Sequence, residues 1–330
     1  MQHEEAIQLT YPATPTSQRS LRDRVGVSLE VANSVDAISW AREAEQAGVH
    51  QLWMTAGGVG GTDNLTLFAV IATQTERVRL GTAIVPTYPR HPVVMAQQTL
   101  VLHDIAPGRF RLGIGPSHRH IIEGMYGLSL TAPLAYLREY LEIVRPLLWQ
   151  GRVEHHGRFF NVVTSSPRKA EVPLFISALG PKAFHLGGEV SDGAISWMCP
   201  IPYLLERALP ELQAGAKASQ RPAPPLVAHV LVAVSSDETA VEAAAQQQIG
   251  FYSTAPFYAH MFAEAGFPDA AGKDRAALAH SLVISGDEAA IQARIKDLLV
   301  SGLDELLLQL LPVADKAAER RRLLQAVGTL

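Results

Sequence analysis

Apolar residues recur along this chain in two alternating rhythms. One is a helical stripe that ends at a glycine, and the other is a short apolar run that follows two or three residues later. Between Asn33 and Met54, Ile38, Ala41, Ala44 and Ala47 recur at three-residue steps, behind Asn33 or Ser34, either of which can cap a helix. Gly48 supplies a left-handed C-terminal residue, and Leu52-Trp53-Met54 reads as a strand. The pattern returns near the end of the chain. Ile291, Ile295, Leu298 and Leu299 form the stripe, Gly302 stops the helix, and Leu306–Leu311 is the next strand.

The alternation continues between these points. Further strands are predicted at Val25–Leu29, Val78–Val85, Arg109–Gly115, Pro173–Ala178, Asp192–Met198 and Leu226–Val234. Helices are predicted at Asp63–Gln74, Pro92–His103, Thr131–Leu148, Pro181–Gly188, Pro200–Gly215, Asp237–Gln248 and Ala314–Val327, with Pro92 at a first helical position. Eight strands alternating with helices through short turns predict an α/β protein, a (β/α)8 TIM barrel. The competing doubly wound sheet typically has about five or six strands.

The chain has 330 residues, more than the roughly 250 such a barrel needs. The surplus falls in three places. Met1–Leu21 reads as a flexible or loosely attached arm, and residues 22–330 as a single barrel domain. Within it, residues 152–172 after the fourth strand and 251–281 after the seventh are insertions. Arg152–Val163 can form a small hairpin. The second insertion holds Tyr252, Phe257, Tyr258, Phe262 and Phe267, either lying over the barrel mouth or packed as helices on its wall.

Composition narrows the function. Apolar residues are 48% and charged residues 18%, which excludes a disordered chain. Lys and Arg total 28 against 32 Asp and Glu, a net charge of −4, so there is no basic footprint for nucleic acid. No apolar run reaches the roughly 20 residues that span a bilayer, and the first twenty residues lack the apolar core of a signal peptide. The single cysteine, Cys199, excludes an internal disulfide and fits a cytoplasmic protein.

In a parallel barrel, chemistry sits at the C-terminal ends of the strands. That rule selects Thr55–Gly61, Gly81–Thr87, Gly113–His118 and Ala178–Lys182. The first carries four glycines, as a close-approach loop or a plain connector. In the third, Gly113-Ile114-Gly115 lacks the last glycine of a dinucleotide fingerprint, and Pro116 disrupts the turn. His118 is the candidate proton-transfer residue, because imidazole titrates near neutrality. At the fourth, Gly180 and the helix beginning at Pro181 can hold a phosphate on exposed amides. His118-Arg119-His120 and His155-His156 have no third ligand at recognisable spacing, so no metal site is expected. A Gly-x-Ser-x-Gly hydrolase elbow is absent.

Several blocks together resemble the luciferase-like flavin and deazaflavin oxidoreductases. They are Arg77–Thr82, His91-Pro92, Ile105–Gly115, Pro173–Pro181 and Gly188–Gly193, in family order over roughly residues 24–312. Gly-Pro-Ser-His ending at His118 and Ala-Leu-Gly-Pro ending at Pro181 look most like the branch that uses coenzyme F420, an 8-hydroxy-5-deazaflavin. The resemblance implies a (β/α)8 barrel that passes hydride between reduced F420 and a small organic substrate. The alternatives are an FMN-dependent monooxygenase of the same fold and a barrel that only binds the cofactor. It implies cofactor contacts at Thr82, Ala83 and Ile84, with a non-prolyl cis peptide between the last two. Ser117 and Ser196 line the same groove, and Ala178, Leu179, Gly180 and Pro181 receive the phosphate tail. His118 stands where a sugar-phosphate dehydrogenase branch has an acidic residue. Thr55-Ala56 stand where some deazaflavin enzymes carry an Asp-His pair, so sugar-phosphate dehydrogenase activity is not implied. A homodimer is expected, with no nucleic-acid or membrane partner.

Overall fold

The structure, a computed structural model, describes residues 19–30, 33–55 and 62–330. Its first half lays down β1 (Val25–Ser28), α1 (Ser34–Gln46), β2 (Gln51–Met54), α2 (Asn64–Ala72), β3 (Arg79–Thr82), β4 (Val85–Pro86), α3 (Pro92–Ile105) and β5 (Phe110–Gly115). After α4 (Pro133–Trp149) comes an antiparallel hairpin of β6 (Arg152–His156) and β7 (Asn161–Ser165). Then follow β8 (Leu174–Ser177), α5 (Pro181–Val190), β9 (Gly193–Ile195), α6 (Ile201–Tyr203), α7 (Leu209–Ala218) and β10 (Leu226–Ala233). The last part holds α8 (Glu238–Thr254), α9 (Pro256–Glu264), α10 (Arg275–Leu282), β11 (Val283–Ser285), α11 (Glu288–Val300), β12 (Glu305–Leu310) and α12 (Lys316–Gly328).

Parallel pairing runs β1, β2, β3, β5, β8, β9, β10, β12 and returns to β1, where Val25 faces Leu306 and Val27 faces Leu308. The alternation read from the chain is therefore a closed (β/α)8 barrel. Several helices begin where a short polar side chain satisfies a first-turn amide. Asn33 accepts from Asp36, Asp63 from Thr66, and Asp287 from Ala290.

Some local predictions shift. In α1 the buried stripe is Ala37, Trp40, Ala41 and Ala44, while Ile38 and Ala47 are only half-buried. A run of three-residue steps drifts around a helix of 3.6 residues per turn, and the bulky Trp40 decides which side packs. The third strand ends at Thr82, not Val85, and resumes as β4 beside β5. The helix predicted to stop at Gln248 continues to Thr254, so Phe251 and Tyr252 belong to its last turns. β11 is an unpredicted short strand alongside β10. Of the expected N-terminal arm, Arg19 is held by an ion pair to Glu305 at 2.8 Å; residues 1–18 lie outside the described residues.

Apolar packing forms two layers. The larger lies between strands and helices. The smaller fills the barrel itself, with Trp53, Ala83, Phe175, Ile195, Val227 and Leu307. Trp53 fits because its neighbours on β1 and β3 are Gly26 and Gly81; a Cβ on either would run into the indole. Below it the barrel floor is polar. Arg111 lies 4.3 Å over the Trp53 ring, pairs with Glu305 at 2.8 Å and donates to Gln51. Among the described residues, no helix is long and apolar enough to cross a membrane.

Candidate active site at the barrel mouth

The C-terminal ends of the strands open into one cavity of about 1130 Å³. Ala83, Ile84, Ser117, His118, Ala178, Leu179, Gly180 and Pro181 all line it, so the segments after the third, fourth and fifth barrel strands do share one mouth. From the glycine-rich segment Thr55–Gly61, Thr55 lines the cavity and residues 56–61 lie outside the described residues. Residues of α9 and the end of α8 supply much of the opposite wall, including Phe251, Tyr252, Phe257 and Tyr258. The aromatic insertion therefore covers the mouth.

The peptide bond between Ala83 and Ile84 is cis. It forms the step between β3 and β4. Thr82 does not face the cavity, in contrast to the cofactor contact expected of it. Its hydroxyl donates to the Gly113 carbonyl and accepts from the Gly113 amide, both at 2.8 Å. A Cβ at Gly113 would overlap the Thr82 carbonyl, so the close approach of β3 to β5 here requires glycine. Ser117 follows β5 with φ of 62°, a left-handed conformation rare for a side chain with a Cβ.

Gly180 opens α5 with no side-chain cap, and an added Cβ there would meet nothing within 4 Å. Pro181 starts the helix, and Lys182 and Ala183 continue the lining. The positive end of α5 thus borders open space, which suits an anionic group. The Tyr203 hydroxyl donates to the Leu179 carbonyl at 2.9 Å and ties this segment down. A second groove of about 470 Å³ runs on from Pro181 and Lys182 past Arg138 and His185. Ser196 is absent from the lining, again unlike the expectation. It is buried between β9 and β10, accepting from the His229 amide at 3.4 Å and reaching the Val227 carbonyl at 3.5 Å.

His118 is half-buried on the cavity wall. Its ring lies 5.7 Å from Tyr258, 6.0 Å from Phe251 and 5.6 Å from His120. Burial, and then the neighbouring His120, push its pKa below the ordinary imidazole value, so the ring is neutral at pH 7. A neutral imidazole can accept a proton.

Three residues that line the mouth were not singled out from sequence, Glu30, Trp197 and Gln309, and neither was His229 behind them. Glu30, just after β1, and Gln309, on β12, line the cavity floor. Burial raises the Glu30 carboxyl above its ordinary pKa, opposed by Lys316 and by a hydrogen bond from Gln309. Trp197 donates to the Tyr252 hydroxyl at 3.0 Å and stacks on His229 at 3.8 Å. The only local signals were a carboxylate and an amide at strand ends. Their meeting depends on β12 closing against β1.

The same block that carried the family pattern after the fifth strand has a structural use. Asp192 accepts from the Leu174 amide at 2.9 Å, from Arg145 at 3.0 Å and from Arg221 at 3.1 Å, joining β8 to the turn before β9. It is not part of the mouth.

A closed parallel barrel with a large cavity at the C-terminal ends of its strands, bordered by an uncapped helix start and an aromatic wall, defines a (β/α)8 protein whose mouth can take an organic ligand. The chain belongs to the luciferase-like monooxygenase family, whose model matches residues 20–305. It is 29% identical over 216 residues to 5,10-methylenetetrahydromethanopterin reductase of Methanolobus tindarius, a match covering 64% of this chain and 65% of the relative. The chain thus spans just under two thirds of that reductase's length. Among solved structures, it resembles coenzyme F420-dependent tetrahydromethanopterin reductase from Methanopyrus kandleri. That similarity has a TM-score of 0.75 at 20% identity, over 92% of this chain and 97% of the other. EDTA monooxygenase from Chelativorans sp. BNC1 also gives a TM-score of 0.75, at 14% identity over 92% and 93% of the two chains. The fold is common to both chemistries.

Proposed function

We propose that this protein is an oxidoreductase that moves a hydride between coenzyme F420 and a small organic substrate held in the mouth cavity. The observation that carries the reading is the convergence in one cavity of the Ala83–Ile84 step, the uncapped start of α5 and two protonatable groups. Support for the deazaflavin over FMN comes from a relative in Mycobacterium tuberculosis, 34% identical over 43% of this chain, that is named a putative coenzyme F420-dependent oxidoreductase. The groove beyond Lys182 also leaves room for a tail longer than that of FMN.

A bound deazaflavin carries carbon where a flavin carries its reactive nitrogen, so it exchanges hydride and reacts poorly with oxygen. This chain's residues do the rest. Ala83 and Ile84 give a planar ring a backing surface. The Lys182 amide, at the positive end of α5, holds a phosphate, with Gly180 leaving it room to approach; the next two amides already donate to the Gly180 carbonyl. Phe251, Tyr252 and Tyr258 exclude water over the reacting face. His118, neutral at pH 7, accepts the proton released when the substrate is oxidised. Glu30 places a second protonatable group, a carboxyl, on the floor, biased by burial towards its protonated form.

The test is a titration of the cofactor-free protein with F420 and with FMN in parallel, followed by ligand fluorescence. Tighter binding of F420 is expected. Tight FMN binding with oxygen-dependent product formation would replace this reading with the monooxygenase one.

A further inference from the structure

His229 is buried in the wall of the barrel, on β10, and lines no cavity. Such an imidazole needs a partner for each nitrogen, and the partners here leave no freedom. The Met198 backbone amide lies 3.3 Å from its Nδ1. An amide N–H can only donate, so Nδ1 must be the unprotonated nitrogen and Nε2 must carry the proton. Nε2 lies 2.6 Å from Gln309 Oε1, to which it can therefore only donate. The Gln309 amide is thereby oriented with its NH₂ group away from His229, and that group donates to Glu30 Oε1. Met198 itself sits at φ of 54°, a left-handed conformation that aims its amide into this chain.

We propose that His229 and Gln309 are positioning residues of the mouth: a hydrogen-bond chain of fixed polarity, begun by the Met198 amide, that makes Glu30 Oε1 an acceptor. The proton that Glu30 exchanges is thereby confined to Oε2. The proposal rests on the reading of Glu30 as a protonatable group of the active site, and extends it to Gln309 on the cavity floor and to His229 behind it. The other groups facing Glu30 are Lys316, with its ammonium 3.9 Å from Oε2 at the start of α12, and Tyr252 on α8. Lys316 is largely exposed and Tyr252 keeps its proton because burial raises it, so neither reverses the direction of the chain. Burial also pushes His229 down to about 4, which keeps it neutral at pH 7, and its two hydrogen-bond partners choose the tautomer.

The polarity is read directly on the unsubstituted, cofactor-free protein from the ring nitrogen-15 shifts of His229. The Nε2–H tautomer should persist from pH 5 to pH 9. An Nδ1–H tautomer, or protonation with a midpoint near that of free histidine, would overturn the proposal. A second measurement follows the Glu30 carboxyl by carbon-13 titration, its signal assigned by its loss in Glu30→Gln. Removing the Gln309 donor in Gln309→Leu should raise the Glu30 midpoint by about half to one pH unit, because a hydrogen bond to the charged form is lost. His229→Phe keeps the stack on Trp197 and should move the midpoint the same way. An unchanged midpoint in both variants also overturns it. Turnover tells the two claims apart. If the shifts occur but Glu30→Gln leaves kcat and its pH profile untouched, the positioning chain stands and the catalytic use of Glu30 falls.

Discussion

At the scale of single residues, the mouth separates a binding role from a chemical one. Gly180 has open space where a side chain would stand and an ordinary φ of −95°, so Gly180→Val should fold normally. Its added bulk would block an anion from the start of α5. Cofactor affinity should fall about tenfold, the equivalent of one lost hydrogen bond to a charged group, while the thermal midpoint holds. Equal affinity in the variant would place the phosphate elsewhere. For His118 the opposite split is expected. His118→Ala should lower kcat by about 10²–10⁴ and leave cofactor affinity nearly intact. Because its pKa is lowered, the activity of the parent should survive below the pH at which free imidazole protonates. A His118→Ala rate equal to the parent's makes His118 part of the aromatic wall and no more.

At the scale of elements, the position of α5 is set by how closely it meets α7. A Cβ on Gly188 would overlap the Leu212 carbonyl, and one on Gly215 would overlap the His185 carbonyl. The two helices therefore touch backbone to backbone, and the start of α5 is fixed relative to the mouth from behind. Gly188→Ala should force them apart. Overpacking of this kind costs about 1–3 kcal/mol, measurable by urea unfolding. It should also weaken cofactor binding, although Gly188 lies two turns from the cavity. Loss of stability with affinity unchanged would show that α7 does not position the site.

At the scale of the whole molecule, the barrel is tied together at its floor by groups far apart in the chain. Arg111 on β5 reaches across the interior to Glu305 on β12, and Arg19 adds a second cation to the same carboxylate. Burial raises the Glu305 carboxyl, but Arg111 and its hydrogen bond, with Arg19, bring it below its ordinary value. Glu305 therefore contributes stability that is present above the ordinary carboxylate range and is lost as pH falls through the lower folded value. Glu305→Gln leaves the buried Arg111 uncompensated and should cost about 3–5 kcal/mol at pH 7. The deficit relative to the parent should shrink as both are unfolded at progressively lower pH, towards pH 3. A deficit that does not change with pH would mean that the charge on Glu305 is not what matters.

The local pattern of the chain was enough for the barrel, for a cap at Asn33 or Ser34, of which the structure uses Asn33, for a helix start at Asp63, and for the buried stripe Ile291, Ile295, Leu298 and Leu299. These follow from periodicity and from short-range hydrogen bonds, which involve residues a few positions apart. The mouth segments were legible for a related reason: in a parallel barrel, every residue that follows a strand comes to the same end. What local pattern could not supply is register between strands distant in sequence. Trp53 needs Gly26 and Gly81 beside it, the Thr82 carbonyl needs Gly113 opposite it, and Gln309 links Glu30 to His229 only because β12 pairs with both β1 and β10. Thr82 and Ser196 show the same limit, since both follow the family pattern yet turn into the wall to satisfy backbone groups of the neighbouring strand. A side chain's face is chosen by the packing and hydrogen bonding of its partners across the sheet, and those partners lie tens to hundreds of residues away.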